Sequence, residues 1–130
     1  MANVEKLRGA GIFDPPGYHH LMKVTNIQGL LFTAGQVPFD AGGNVAHPGD
    51  FAGQARTCFN AIKAHVEAAG GTVDNIVKIT TYVTDIRYRP QFRIARDEFF
   101  GGKGPASTMV EVNHLSEPGY LIEIEAIAVI

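Results

Sequence analysis

Two amphipathic helical stretches set among five strand-like stretches predict an α+β fold, a mixed sheet with both helices on one face. Three observations carry that reading. Apolar residues recur at three- and four-residue steps in 51–69 and along one side of 89–100. Strand-like runs stand before, between and after these stretches. Glycine doublets, Gly70-Gly71 and Gly101-Gly102, close both helical stretches, because glycine accepts the left-handed conformation of a helix C-cap. The predicted order is β-β-α-β-α-β-β in one domain, residues 1–130, with room for a short further strand near Val4–Leu7.

Asp14-Pro15-Pro16-Gly17 ends the N-terminal segment, and strands follow at 21–25 and 30–36. Asp40 to Asn44 is a loop or hairpin tip, and His47-Pro48-Gly49 is a second break. Asp50 is placed to cap the first helix, whose apolar side holds Ala55, Cys58, Phe59, Ile62, Val66 and Ala69. Cys58 is therefore read as a small core residue. A strand at 76–84 leads to the second helix, where Pro90 fits the first turn and Phe92, Ala95, Phe99 and Phe100 form the apolar side. Strands at 106–112 and 120–130 complete the chain.

The last strand carries apolar residues on both faces. Ile122, Ile124, Ala126 and Ala128 share one, while Leu121, Glu123, Glu125, Ile127 and Val129 share the other. Two helices cover only one face of such a sheet. The other is expected to meet a second copy of the chain, and its two carboxylates are costly there unless paired or used.

Composition narrows the function classes. The chain has 130 residues, 45% hydrophobic and 18% charged, with a net charge of −2, which argues against a protein built around nucleic acid. One cysteine excludes an internal disulfide framework. The N-terminus has no apolar signal core and no run is long enough to cross a membrane, so a cytoplasmic protein is expected. The five histidines form no HxH or HExxH pair, and the adjacent His19 and His20 would point to opposite faces of a strand, so no metal site is expected. There is no GxSxG elbow. Gly101 to Gly104 lacks P-loop spacing and is read as a helix stop and a turn. Arg89, Arg93 and Arg96 line one helical face. That face is either solvated or a site for a small carboxylate or phosphate, since guanidinium binds such groups bidentately. Nucleic acid is a third and weaker option.

Three stretches carry a resemblance: LLFTAGQVPFD (30–40), QARTCFNAIKAHVEAAGGTVDNIVKITTYVTDI (54–86) and GPASTMVEVNHLSEPGYLIEIEAIAV (104–129). Together they resemble the Rid family, the YjgF-like reactive intermediate deaminases, some members of which carry the older label L-PSP endoribonuclease. The likeness spans nearly the whole chain after Pro16. It implies a chorismate-mutase-like fold and a homotrimer with ligand pockets between subunits, and no metal or organic cofactor. It also implies hydrolysis of a small enamine or imine: water adds to the C=N carbon and ammonia leaves. Carried over residue by residue, the resemblance makes Glu123 the catalytic acid/base, with Glu125 structural. Tyr18 closes the pocket, and Ala34 and Gly35 lie beside it. Arg93 stands where an asparagine is common, and Met109 where a cysteine is common.

One position departs from the pattern. Ser107 occupies the place of the arginine that holds the substrate carboxylate, and serine cannot make that bidentate contact. The departure argues against 2-aminoacrylate as substrate and toward a longer molecule of the 2-aminomuconate type, with Arg93 supplying the charge from another wall. Two alternatives stay open: a non-catalytic trimeric metabolite binder or regulator, and an endoribonuclease.

Overall fold

Residues 2–130 are described by a computed structural model. The chain runs β1 (Asn3–Leu7), β2 (Leu21–Thr25), β3 (Leu30–Phe32), α1 (Phe51–Ala68), β4 (Ile76–Val83), α2 (Arg89–Phe100), β5 (Ala106–Glu111) and β6 (Ile122–Val129). Single 3-10 turns, Val73–Asn75 and Ile86–Tyr88, lead into β4 and α2. The α+β order read from the sequence is present, and the short N-terminal strand is real. It pairs antiparallel with β2 in a separate two-stranded sheet.

The main sheet has the order β3-β6-β4-β5. β6 lies antiparallel to both β3 and β4, and β5 runs parallel to β4. The parallel pair follows from connectivity, since α2 carries the chain back over the sheet between β4 and β5. Both helices pack on one face. There Ile79, Val83, Ile122, Ile124, Ala126 and Ala128 meet Ala55, Cys58, Phe59, Ile62 and Val66 of α1, and Phe92 and Ala95 of α2. Phe59 stacks on Phe92 and Phe99, with ring centroids 6.0 and 4.7 Å apart, and so ties the two helices together.

Local chemistry sets the element ends. Asp50 accepts a hydrogen bond from the Gly53 N–H at 3.0 Å and starts α1. Gly101, with φ +70°, ends α2. The strand expected over 30–36 stops at Phe32. Beyond it the Thr33 N–H still donates to the Ala126 carbonyl at 3.0 Å, but the Ala126 N–H goes to the Thr33 hydroxyl at 2.9 Å, and the next backbone pair is Gln36 with Ile124. Ala34 and Gly35 bulge out between these contacts, one residue more than β6 supplies opposite them.

Among the described residues no helix lies over the second face of the sheet. That face presents Lys78, Thr80 and Tyr82 from β4, Thr108 from β5, and Glu123, Glu125 and Ile127 from β6, with Phe32, 70% exposed, at the β3 edge.

Candidate functional site

Six of the residues singled out from sequence fall into two groups on opposite faces of the sheet, and Ala34 lies at the edge of the second. The first group surrounds a recess of about 540 Å³ between α2, the start of β5 and the N-terminal segment. Arg89, Phe92, Arg93 and Arg96 form its helical wall, Ser107 and Met109 its strand wall. Phe13, Pro15, Pro16 and Tyr18 line it from the N-terminal segment. Ser107 and Met109 reach it because they pair with Ile79 and Thr81, which puts their side chains on the helix side of the sheet.

The N-terminal segment is held over the recess by a ladder onto Gly104. The Gly104 N–H donates to the Gly17 carbonyl at 2.8 Å. The Gly104 carbonyl accepts from both the backbone N–H and the imidazole Nδ1 of His19, at 3.1 and 2.7 Å. Asp14 adds ion pairs to Lys103 and Arg8, and these hold its carboxyl below the usual range.

The three arginines differ. Arg96 is only 7% exposed. Its Nε donates to Asp97 at 3.1 Å, and its guanidinium carbon lies 5.9 Å from both the Tyr18 and Phe92 ring centres. A Cβ on Gly17, where φ is +86°, would fall 1.9 Å from Arg96 Nη2, so glycine is required there by both space and backbone. Arg96 thus seats the turn that carries Tyr18. Arg89 and Arg93 are exposed, and among the described residues neither has a carboxylate within ion-pair distance. Among the described residues no acidic one lines the recess.

The second group is on the helix-free face. Glu123 stands opposite Tyr82 in the β4–β6 ladder and lies against the Ala34-Gly35 bulge. A Cβ on Gly35 would come within 2.3 Å of the Glu123 Oε2, so the glycine lets the carboxylate lie against the backbone. Burial raises the Glu123 pKa, and the neighbouring Glu125 charge raises it further. Glu125 accepts a hydrogen bond from the Tyr82 hydroxyl at 3.1 Å, which in turn raises the Tyr82 pKa. Ala34 borders a separate recess beside Gln36 and His65, and its carbonyl accepts from Gln36 Nε2 at 3.0 Å.

Within one chain, then, Tyr18, Arg93, Ser107 and Met109 come together, and Glu123 with Gly35 forms a second centre across the sheet. Arg89 and Arg96 were visible as part of a helical stripe, but their convergence with the N-terminal segment was not. Phe13 had no sequence signal. Cys58 is fully buried and burial pushes its thiol up to about 12, in keeping with its core reading. Among the described residues no group of three or more His, Cys, Asp and Glu is placed to hold a metal, and no helix is long and apolar enough to cross a membrane.

The endoribonuclease L-PSP family profile matches residues 14–130. A RutC family protein of Pyrococcus horikoshii is 38% identical over 111 residues, 85% of each chain. Among solved structures, YyfB of Yersinia pestis, described as a conserved Rid family protein of unknown function, superposes with a TM-score of 0.88 at 26% identity, covering 98% of this chain and 99% of that one. The YjgF gene product of E. coli superposes with a TM-score of 0.72 at 34% identity over 93% and 90% of the two chains. A profile match over nearly the whole chain and these relatives agree with the fold and with the three stretches first read in the sequence: the chain belongs to the Rid/YjgF family, the endoribonuclease L-PSP family.

Proposed function

We propose that the protein is a Rid-type enamine/imine deaminase acting as a homotrimer. Each site joins the arginine recess of one copy to the Glu123 face of the next. The observation that carries this reading is Glu123 itself. It is a carboxylate with a raised pKa and no cation within ion-pair distance among the described residues, on a sheet face that no helix covers. Such a group costs stability unless it is used. The recess has the converse character, cationic and without an acid. Docking a second copy on the open face supplies each with what it lacks.

The chemistry needs only these side chains and water. Arg93 holds a substrate carboxylate, the part that Ser107 cannot play. Glu123 takes a proton from water as the oxygen adds to the iminium carbon, giving a carbinolamine. The same carboxyl returns that proton to nitrogen. It then accepts the hydroxyl proton as the C–N bond breaks, leaving a ketone and ammonia, which departs as ammonium. An enamine enters the route after protonation at carbon. Tyr18, seated by Arg96, covers the bound substrate. A longer, 2-aminomuconate-type substrate suits a carboxylate anchor placed on α2 rather than on β5.

The test is a coupled assay in which an amino-acid oxidase generates imines from a panel of amino acids, with 2-aminomuconate supplied separately. Ammonia or keto-acid release is expected from wild type and should fall at least ~100-fold in Glu123→Gln. Turnover that survives Glu123→Gln rejects the mechanism. One observation favours a second reading, a trimeric metabolite binder without activity: the missing arginine at Ser107. No turnover by wild type, with activity gained in Ser107→Arg, would support it.

A further inference from the structure

We infer that Tyr82 is a positioning residue for Glu123, deciding through its hydrogen bond to Glu125 which of the two β6 carboxylates carries the proton. The inference rests on the reading of Glu123 as the acid/base of the proposed reaction. Glu123 and Glu125 stand two residues apart on one strand, so both side chains project from the helix-free face. Two carboxylates this close do not ionise independently. A proton shared between them settles on the one whose anion is less well supported.

The support is unequal. Tyr82 stands directly opposite Glu123, yet its hydroxyl reaches past it to the diagonal neighbour and donates to Glu125 Oε1 at 3.1 Å. Glu125 therefore has a fixed donor. Glu123 has none: among the described residues no hydrogen bond and no ion pair reaches its carboxylate. It lies instead against the Gly35 backbone, where a Cβ would come within 2.3 Å of Oε2. Nothing else in the chain evens this out. Lys78, the cation on the same face, gives its ammonium to Thr108 Oγ1 at 2.7 Å. From β5 and β3 the nearest side chains on this face, Val110 and Phe32, do not titrate. Behind the sheet Cys58 stays a neutral thiol, raised first by burial and then by the Glu123 charge. In the proposed trimer Arg93 of the next copy also faces Glu123 and favours its ionised form, so the Tyr82–Glu125 pair is what keeps a proton available there.

Carbon-13 NMR titration of the full-length protein, labelled at its glutamate side-chain carboxyls, tests this. The Glu123 resonance is assigned by its loss in Glu123→Gln, and its wild-type midpoint should lie above 4.5. Tyr82→Phe keeps the ring and removes the donor. Glu125 then competes for the proton, so the Glu123 midpoint should move to lower pH, and Glu125→Gln should lower it further. Added to Glu125→Gln, Tyr82→Phe should change nothing more, because it acts only through the Glu125 charge. In active enzyme the acidic limb of kcat should move with the midpoint. A Glu123 midpoint that ignores Tyr82→Phe, or that shifts equally with and without the Glu125 carboxylate, overturns the inference, since a merely structural tyrosine would change Tm and leave the midpoint in place. If the midpoint follows Tyr82 but no imine is hydrolysed, the proton assignment stands and the deaminase reading falls. If turnover needs Glu123 and the midpoint ignores Tyr82, the reverse holds.

Discussion

Glu123 is where the fold and the proposed chemistry meet most closely. Its pKa is raised because the β6 ladder half-buries it, and because Glu125 lies two residues on along the same face. The deprotonated form is the one that activates water. The acidic limb of kcat should therefore fall above the ordinary glutamate value of 4.5 and vanish with Glu123→Gln. Stability moves the other way. The folded protein holds this proton to higher pH than the unfolded chain does. The contribution is present below 4.5 and lost as pH rises through the folded value. The Tm of Glu123→Gln minus that of wild type should thus grow as pH increases from 4.5, and thermal scans across that range check it. A difference that is flat with pH would mean that the carboxyl titrates normally. At this scale the resemblance named the candidate residues, and the alternation of β6 put Glu123 on the face away from the helices. The sequence was silent on their mutual placement. Gly17 meets Arg96, and Gly35 meets Glu123, through contacts between distant parts of the chain that no local pattern encodes.

Elements were legible wherever one local force dominates. The apolar period and the Asp50 cap marked α1, and the glycine stop marked the end of α2. Asp50→Ala should cost about 1 kcal/mol in denaturant unfolding, with an unchanged m-value, because it removes one cap and exposes little new surface. An effect below a few tenths would mean that the Gly53 N–H finds another partner. The one strand misjudged, β3, shows the limit. Its strand-like run was carried through Gln36, but the Thr33 side chain takes the Ala126 N–H that backbone pairing would have used, and the chain bulges. The same bulge brings Gly35 against Glu123, so the error in the sequence reading falls on the candidate site. The Gly104 ladder is a similar case. A loop glycine carries two backbone bonds and a histidine, and it positions the N-terminal segment over the recess.

At the scale of the molecule, the dominant fact is the sheet's second face. Phe32 and Ile127 lie on it beside Glu123, Glu125 and Tyr82. The two-sided pattern of β6 foretold an uncovered face, and the helices do leave it open. What covers it decides whether the cationic recess and the carboxylate form one site or none. Mixing two defective proteins answers this most directly. Glu123→Gln and Arg93→Ala are each expected to be inactive on the imine panel. Unfolded together in equal amounts and refolded, random trimers whose sites join neighbouring copies should rebuild both residues in roughly a quarter of their sites. Recovery of about that share of wild-type ammonia release would place Glu123 and Arg93 in one site contributed by two copies. A mixture no more active than its parents, beside an active wild type refolded in the same way, would contradict it.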